Sequence, residues 1–117
     1  MSDAPVYLQR GGGIAELVLN RPDKRNAITR EMWARLPDLL AEAAADGETM
    51  VLIVRGVTAT AFSAGADIAE FEQVHASEES TRAYDDVIER AFDALARFDR
   101  PTIAEISGIC FGGGCAL

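Results

Sequence analysis

Residues 50–71 read MVLIVRGVTATAFSAGADIAEF. The first eight, Met50 to Val57, read as a continuous apolar run but for Arg55 and Gly56, with turn chemistry at both ends. That pattern predicts a central strand buried on both faces. Small residues follow from Thr58, and Asp67 with Glu70 three positions later resembles the capping box that opens a helix. The stretch therefore predicts a strand, a turn almost free of bulky side chains, and a helix start.

Before this stretch, Val6–Arg10 and Ile14–Asn20 read as short strands, with the glycines Gly11–Gly13 where a hairpin turn belongs. NRPDKRNA, Asn20 to Ala27, is loop chemistry. Thr29 can cap a helix whose first turn holds Glu31. Trp33, Leu36, Leu39, Leu40, Ala43 and Ala44 then recur at helical spacing up to Asp46-Gly47. Pro37 inside that run is expected to kink the helix or to move its start later. Beyond the opening stretch, Ser77, Glu78 and Glu79 begin a longer helix with an apolar stripe of Tyr84, Val87, Ile88, Ala91, Phe92, Leu95 and Phe98. Arg100-Pro101 breaks it, and Thr102–Ser107 is a further strand expected to lie inside a sheet. The predicted order is β-β-α-β-α-α-β, an α/β layering with at least part of the sheet parallel.

The chain has 117 residues, room for one domain, and 49% of them are hydrophobic. A net charge of −8 argues against nucleic acid and against an anionic membrane surface as partners. The two cysteines, Cys110 and Cys115, both fall in the closing apolar stretch, where they read as small core residues of a protein in a reducing compartment. His75 is the only histidine and no CxxC pair occurs, so no metal site is expected. His75 itself reads as a loop histidine without a partner. The first residues carry neither a basic start nor an apolar core of a secretory signal, and no apolar run is long enough to span a bilayer. A cytoplasmic location is the expectation.

Two segments carry most of the functional information, FSAGADI (Phe62–Ile68) and FGGGCAL (Phe111–Leu117). Each follows a strand and can lead into a helix. Glycine and alanine there let a ligand approach the backbone closely. The first turn of a helix has N–H groups without partners inside the helix. Two such turns facing one cavity would direct two N–H groups at one developing negative oxygen, the geometry of an oxyanion hole. Tight strand-to-helix packing would serve either turn alone equally well. Neither a G-x-G-x-x-G frame, a G-K-[ST] sequence nor a G-x-S-x-G elbow is present.

LNRPDKRNAIT (Leu19–Thr29), AFSAGADIAEF (Ala61–Phe71) and RPTIAEISGICFGGGCAL (Arg100–Leu117) together resemble the enoyl-CoA hydratase/isomerase, or crotonase, superfamily, in family order and over essentially the whole chain. The resemblance implies an α/β, ClpP/crotonase-like fold of β-β-α repeats. It implies an acyl-CoA thioester as substrate, with no separate cofactor. Its oxyanion donors would be the N–H groups of Ala66 and Gly113, with Gly112 and Gly114 on either side. Ala64, Gly65, Asp67 and Ile68 would line the acyl and pantetheine path. Lys24, Arg25 and Ala27 would lie in the stretch that receives the CoA nucleotide, where cations have phosphates to meet. The resemblance also implies a homo-oligomer, a trimer or a dimer of trimers.

One departure stands out. Hydratases of the family usually have a glutamate two residues after the last glycine, where this chain has Ala116. A methyl group neither takes nor gives a proton. The family's second carboxylate would lie beyond Leu117. Residues 1–117 therefore read as the N-terminal part of a single crotonase-like domain, truncated after the oxyanion-hole glycines. Among other carboxylates, Glu105 reads as structural and Asp67 as a cap. Two functions stay open: an enoyl-CoA hydratase/isomerase-type enzyme, and a catalytically silent acyl-CoA-binding fragment or pseudoenzyme with an interaction role.

Overall fold

The computed structural model describes residues 4–70 and 75–110. Its first elements are β1 (Val6–Gly11) and β2 (Ile14–Leu19), an antiparallel hairpin in which Gly11 pairs with Ile14. Only Gly12 and Gly13 form the turn, with φ of 61° and 83°. Two successive positive φ values suit the right-handed twist of the flanking strands, and glycine reaches them without steric cost.

α1 spans Arg30–Ala45 and starts where the sequence predicts, the Thr29 hydroxyl accepting the Met32 N–H at 3.2 Å. Pro37 lies inside it, and the start is not displaced. An internal proline costs about 3 kcal/mol of local helix stability. Burial of Met32, Trp33, Leu36, Leu39, Leu40 and Ala43 on one side offsets that cost. At the other end, the Arg100 guanidinium donates to the carbonyls of Ala43 and Ala44 at 2.9 and 2.8 Å. A cation thus closes the helix C-terminus from 57 and 56 residues away. α2 spans Glu78–Ala96, with Ser77 as its cap. The two helices meet where Trp33 and Phe92 stack edge to face, ring centroids 5.5 Å apart.

β3 (Val51–Gly56) runs parallel to β2, and β5 (Thr102–Glu105) runs parallel to β3, completing a sheet of order β1-β2-β3-β5. Two short parallel strands, β4 (Ala61–Ser63) and β6 (Ile109–Cys110), form a second sheet. Ala15, Leu17, Leu19, Leu52 and Val54 are buried and share one core with the apolar sides of α1 and α2.

Three expectations are corrected. β3 is buried on one face only: Leu52 and Val54 are covered, Val51 and Ile53 are half-buried, and Met50 is 75% exposed. Among the described residues both long helices pack on the same side of the sheet. The other side carries the Arg55–Glu16 ion pair, 2.9 Å, beside a cavity of about 360 Å³. β5 ends two residues earlier than expected, and among the described residues it lies exposed at the sheet edge, without the cover an internal strand needs. The described part of the segment after Asp67 is a 3-10 turn, Ile68–Glu70, and the Asp67–Glu70 capping box does not form. Glu70 instead accepts the Arg30 N–H at 2.7 Å and so completes the first turn of α1. β4 and β6 were hidden from sequence reading because two or three residues carry no period.

Candidate functional site

The two motifs Asn20–Ala27 and Ala61–Ile68, far apart in sequence, lie against each other. Ile28 and Ala66 form an isolated parallel bridge. The Ile28 N–H donates to the Gly65 carbonyl at 2.7 Å, and the Asp67 N–H donates to the Ile28 carbonyl at 2.9 Å. The Ala64 N–H donates to the Arg25 carbonyl at 2.9 Å. Along an extended chain successive N–H groups point to opposite sides. Since Gly65 and Asp67 bond to Ile28, the Ala66 N–H between them points away from it. Among the described residues it has no hydrogen-bond acceptor. Gly65, with φ of 94°, makes the bend that brings Ala66 into this position. Only glycine takes that conformation without strain.

Four polar side chains hold the junction. Asn26 is buried at 1% exposure. Its amide nitrogen donates to the Ala61 and Phe62 carbonyls, both at 3.1 Å, and its oxygen accepts the Arg21 N–H at 2.8 Å. Arg25 and Asn26 both have positive φ, so the loop folds back sharply enough to place that amide inside. The Ser63 hydroxyl donates to the Asn26 carbonyl at 2.9 Å and accepts the Gly65 N–H at 3.1 Å. Arg21 Nη1 donates to the Ala27 carbonyl at 2.8 Å and to Asp67 Oδ2 at 2.9 Å. The other oxygen of Asp67 accepts the Ala69 N–H at 2.9 Å. The Arg21 hydrogen bond is the main reason why the Asp67 carboxyl lies below its ordinary value of 3.8; the Ala69 N–H acts in the same direction, and burial opposes both.

Of the sequence-predicted residues, Lys24 and Arg25 are exposed, Ala27, Ala64, Ala66 and Asp67 are half-buried, and Gly65 is buried. Ile68 is 75% exposed beside Ala66, an apolar side chain open to solvent at the edge of the site. The structure brings these residues together in one junction. Gly112, Gly113, Gly114, Cys115 and Ala116 lie outside the described residues. Asp67 is a local cap, though of the 3-10 turn rather than of a helix. Glu105 lies elsewhere, in the cavity with Glu16 and Arg55. His75 was expected to lack a partner, but its Nδ1 lies 3.3 Å from the Thr81 hydroxyl, which the first turns of α2 carry back over the preceding loop. Cys110 is half-buried and packs against the core. Among the described residues no three His, Cys, Asp or Glu side chains gather as a metal site requires, and no helix is long and apolar enough to cross a membrane. Sequence reading passed over Arg21, Asn26 and Ser63 as site residues and gave Glu70 a capping role beside Asp67 rather than its bond to Arg30. Nothing periodic marks them, and only Arg21 adjoins a turn residue, Pro22.

The family model described as enoyl-CoA hydratase/isomerase matches residues 14–117. The chain belongs to that family. Among curated members, the short-chain-enoyl-CoA hydratase of Clostridium acetobutylicum is 30% identical over 112 residues, which are 96% of this chain and 42% of that protein. The mitochondrial enoyl-CoA hydratase domain-containing protein 2 of Bos taurus is 37% identical over 105 residues, 90% of this chain and 35% of its own. An enoyl-CoA hydratase/isomerase family protein from Hyphomonas neptunium superposes with a TM-score of 0.94 at 43% identity, over 97% of this chain and 44% of that one. An enoyl-CoA hydratase/carnithine racemase from Magnetospirillum magneticum gives 0.91 at 42% identity, over 97% and 42%. The fold is thus crotonase-like α/β, and the chain spans less than half the length of these members, corresponding to their N-terminal part.

Proposed function

We propose that this chain carries the thioester-binding part of an enoyl-CoA hydratase/isomerase-type site, in which the N–H groups of Ala66 and Gly113 hold the oxygen of an acyl-CoA thioester as it gains enolate charge. The observation that supports this most is the Ala66 N–H. It is fixed by hydrogen bonds on both of its neighbours while its own proton has no acceptor among the described residues. A preorganised donor of this kind stabilises developing charge without reorganising, and one such donor contributes about 2.7–4 kcal/mol to the transition state. Lys24 and Arg25, exposed on the loop bonded to the same segment, are the cations offered to the CoA phosphates. The assembly is a homo-oligomer, trimeric or hexameric, in the cytoplasm.

A second reading rests on Ala116. With a methyl group where hydratases of the family usually have a glutamate, the chain binds acyl-CoA and polarises it without moving a proton. One experiment separates the two. The purified chain is mixed with crotonyl-CoA and, separately, with a 3-enoyl-CoA, and loss or gain of the conjugated thioester absorbance is followed beside direct binding by calorimetry. Turnover supports the enzyme. Binding without turnover supports the silent module. Absence of binding overturns both and leaves the glycines as packing devices.

A further inference from the structure

We infer that Arg21 and Asp67 form a positioning pair that aims the Ala66 N–H, and that they link its orientation to the loop bearing Lys24 and Arg25. The inference rests on the oxyanion reading of Ala66 and adds to it two side chains that act on the donor through the main chain around it. Arg21 has two separate attachments. Its main chain organises the loop: the carbonyl accepts the N–H groups of Lys24 at 3.0 Å and Asn26 at 2.9 Å. Its side chain leaves that loop and reaches Asp67, 46 residues further on, while also bonding the Ala27 carbonyl. Asp67 is the residue next to Ala66. Its N–H is committed to Ile28, one carboxylate oxygen to Ala69 and the other to Arg21. Its carbonyl accepts the Glu70 N–H at 3.1 Å, so every polar direction of Asp67 is used to fix the peptide chain around the proposed donor.

The side chains of Arg21 and Asp67 are 20% and 15% exposed. A pair so sheltered is less screened by salt than a surface ion pair. Both partners also make bonds to main-chain groups, which gives the pair a defined direction. An error of about 1 Å in a catalytic group costs on the order of a hundredfold in rate. A device that holds the Ala66 peptide plane therefore has a functional consequence distinct from its effect on stability.

The test uses the full 117-residue chain and two variants, Asp67→Asn and Arg21→Lys. Asp67→Asn keeps an oxygen for the Ala69 N–H and removes the charge that Arg21 meets. The first measurement needs no ligand. Amide hydrogen exchange is read at Ile28 and Asp67, the N–H groups on either side of the Ala66 bridge, and at Leu17 and Val54 in the sheet as controls. The inference expects at least tenfold faster exchange at Ile28 and Asp67 in Asp67→Asn, an intermediate value in Arg21→Lys, and no change at the controls. The second measurement is isotope-edited infrared spectroscopy of the thioester carbonyl of crotonyl-CoA labelled with carbon-13. In the unmodified chain the band shifts to lower wavenumber on binding; in Asp67→Asn most of that shift disappears while the dissociation constant changes less than tenfold. Unchanged exchange together with an unchanged carbonyl shift in Asp67→Asn overturns the pair and leaves the oxyanion reading standing. No carbonyl shift in the unmodified chain overturns the oxyanion reading, and with it the functional role of the pair. Equal acceleration at all four amides overturns the positioning role, because it shows a general loss of stability.

Discussion

Ile28 and Ala66 are parallel partners across a single bridge, joined by two hydrogen bonds that both bypass Ala66 itself. Ile28 receives the Asp67 N–H and gives its own to Gly65. The consequence is local and chemical. A loop and a turn are tied together, and the N–H in the middle of the tie is left pointing outward.

Replacing the Ala66 peptide N–H by an ester oxygen tests the donor without changing a side chain. Acyl-CoA binding is expected to survive, and any enolate-forming turnover is expected to fall by about a hundredfold to a thousandfold. Semisynthesis followed by the crotonyl-CoA assay measures it. An unaltered rate in an active chain removes Ala66 from the chemistry.

Gly65→Ala forces an L-residue into φ of 94°. The backbone term alone is about 1–2 kcal/mol. A domain of this size is expected to lose several degrees of Tm for each kcal/mol. The chain has one tryptophan, Trp33, fully buried in the core, so its fluorescence reports the melt directly.

Asn26→Asp removes both donors that face the Ala61 and Phe62 carbonyls and substitutes acceptors for them. Buried groups left without partners cost about 1–3 kcal/mol each. The variant is expected to be less stable than Ser63→Ala, which forfeits a single hydroxyl bridging Asn26 and Gly65. Urea midpoints of the two variants give the comparison.

Arg100→Ala uncaps the C-terminal end of α1 by removing the donors to Ala43 and Ala44. A loss of about 1 kcal/mol is expected. Amide exchange should rise in the last turn of α1 and remain unchanged in the β1–β2 hairpin. Arg100→Lys, which offers one charged group in place of a planar fork, should recover part of the loss.

Asp67 makes part of the stability depend on pH. Its folded carboxyl titrates below 3.8, chiefly because Arg21 donates to it. A depressed folded value means that the unfolded chain binds the proton first as acid is added. The contribution is therefore present in full above the unfolded value near 3.8 and is lost as pH falls through the lower folded value. Asp46, lowered first by the Glu48 N–H and then by the Thr49 hydroxyl, acts in the same direction. Urea midpoints across this acid range should fall less steeply in Asp67→Asn than in the unmodified chain.

Several elements were legible because their causes are local. Gly12 and Gly13 permit the positive φ values of the hairpin turn, Thr29 and Ser77 cap the helices that follow them, and the stripe from Tyr84 to Phe98 repeats at the helical period. Where the reading went astray, the deciding partner was distant. Glu70 stands three residues after Asp67 and suits a capping box, yet it bonds Arg30, 40 residues earlier. Met50–Val57 is apolar at most positions, but only the placement of the two helices decides which face is covered.

The sequence by itself determined the family, through three motifs in order along the chain, and the hairpin, the helix caps at Thr29 and Ser77 and the two long helices, since each of these elements depends on residues within a few positions of one another. The tertiary structure alone decided that Arg21 would reach Asp67, that Asn26 would be buried against β4, and that the Ala66 N–H would be left over. Those bonds join groups 35 to 46 residues apart. No local period encodes such a choice; it is made when packing of the core sets which polar groups must find each other or remain unpaired.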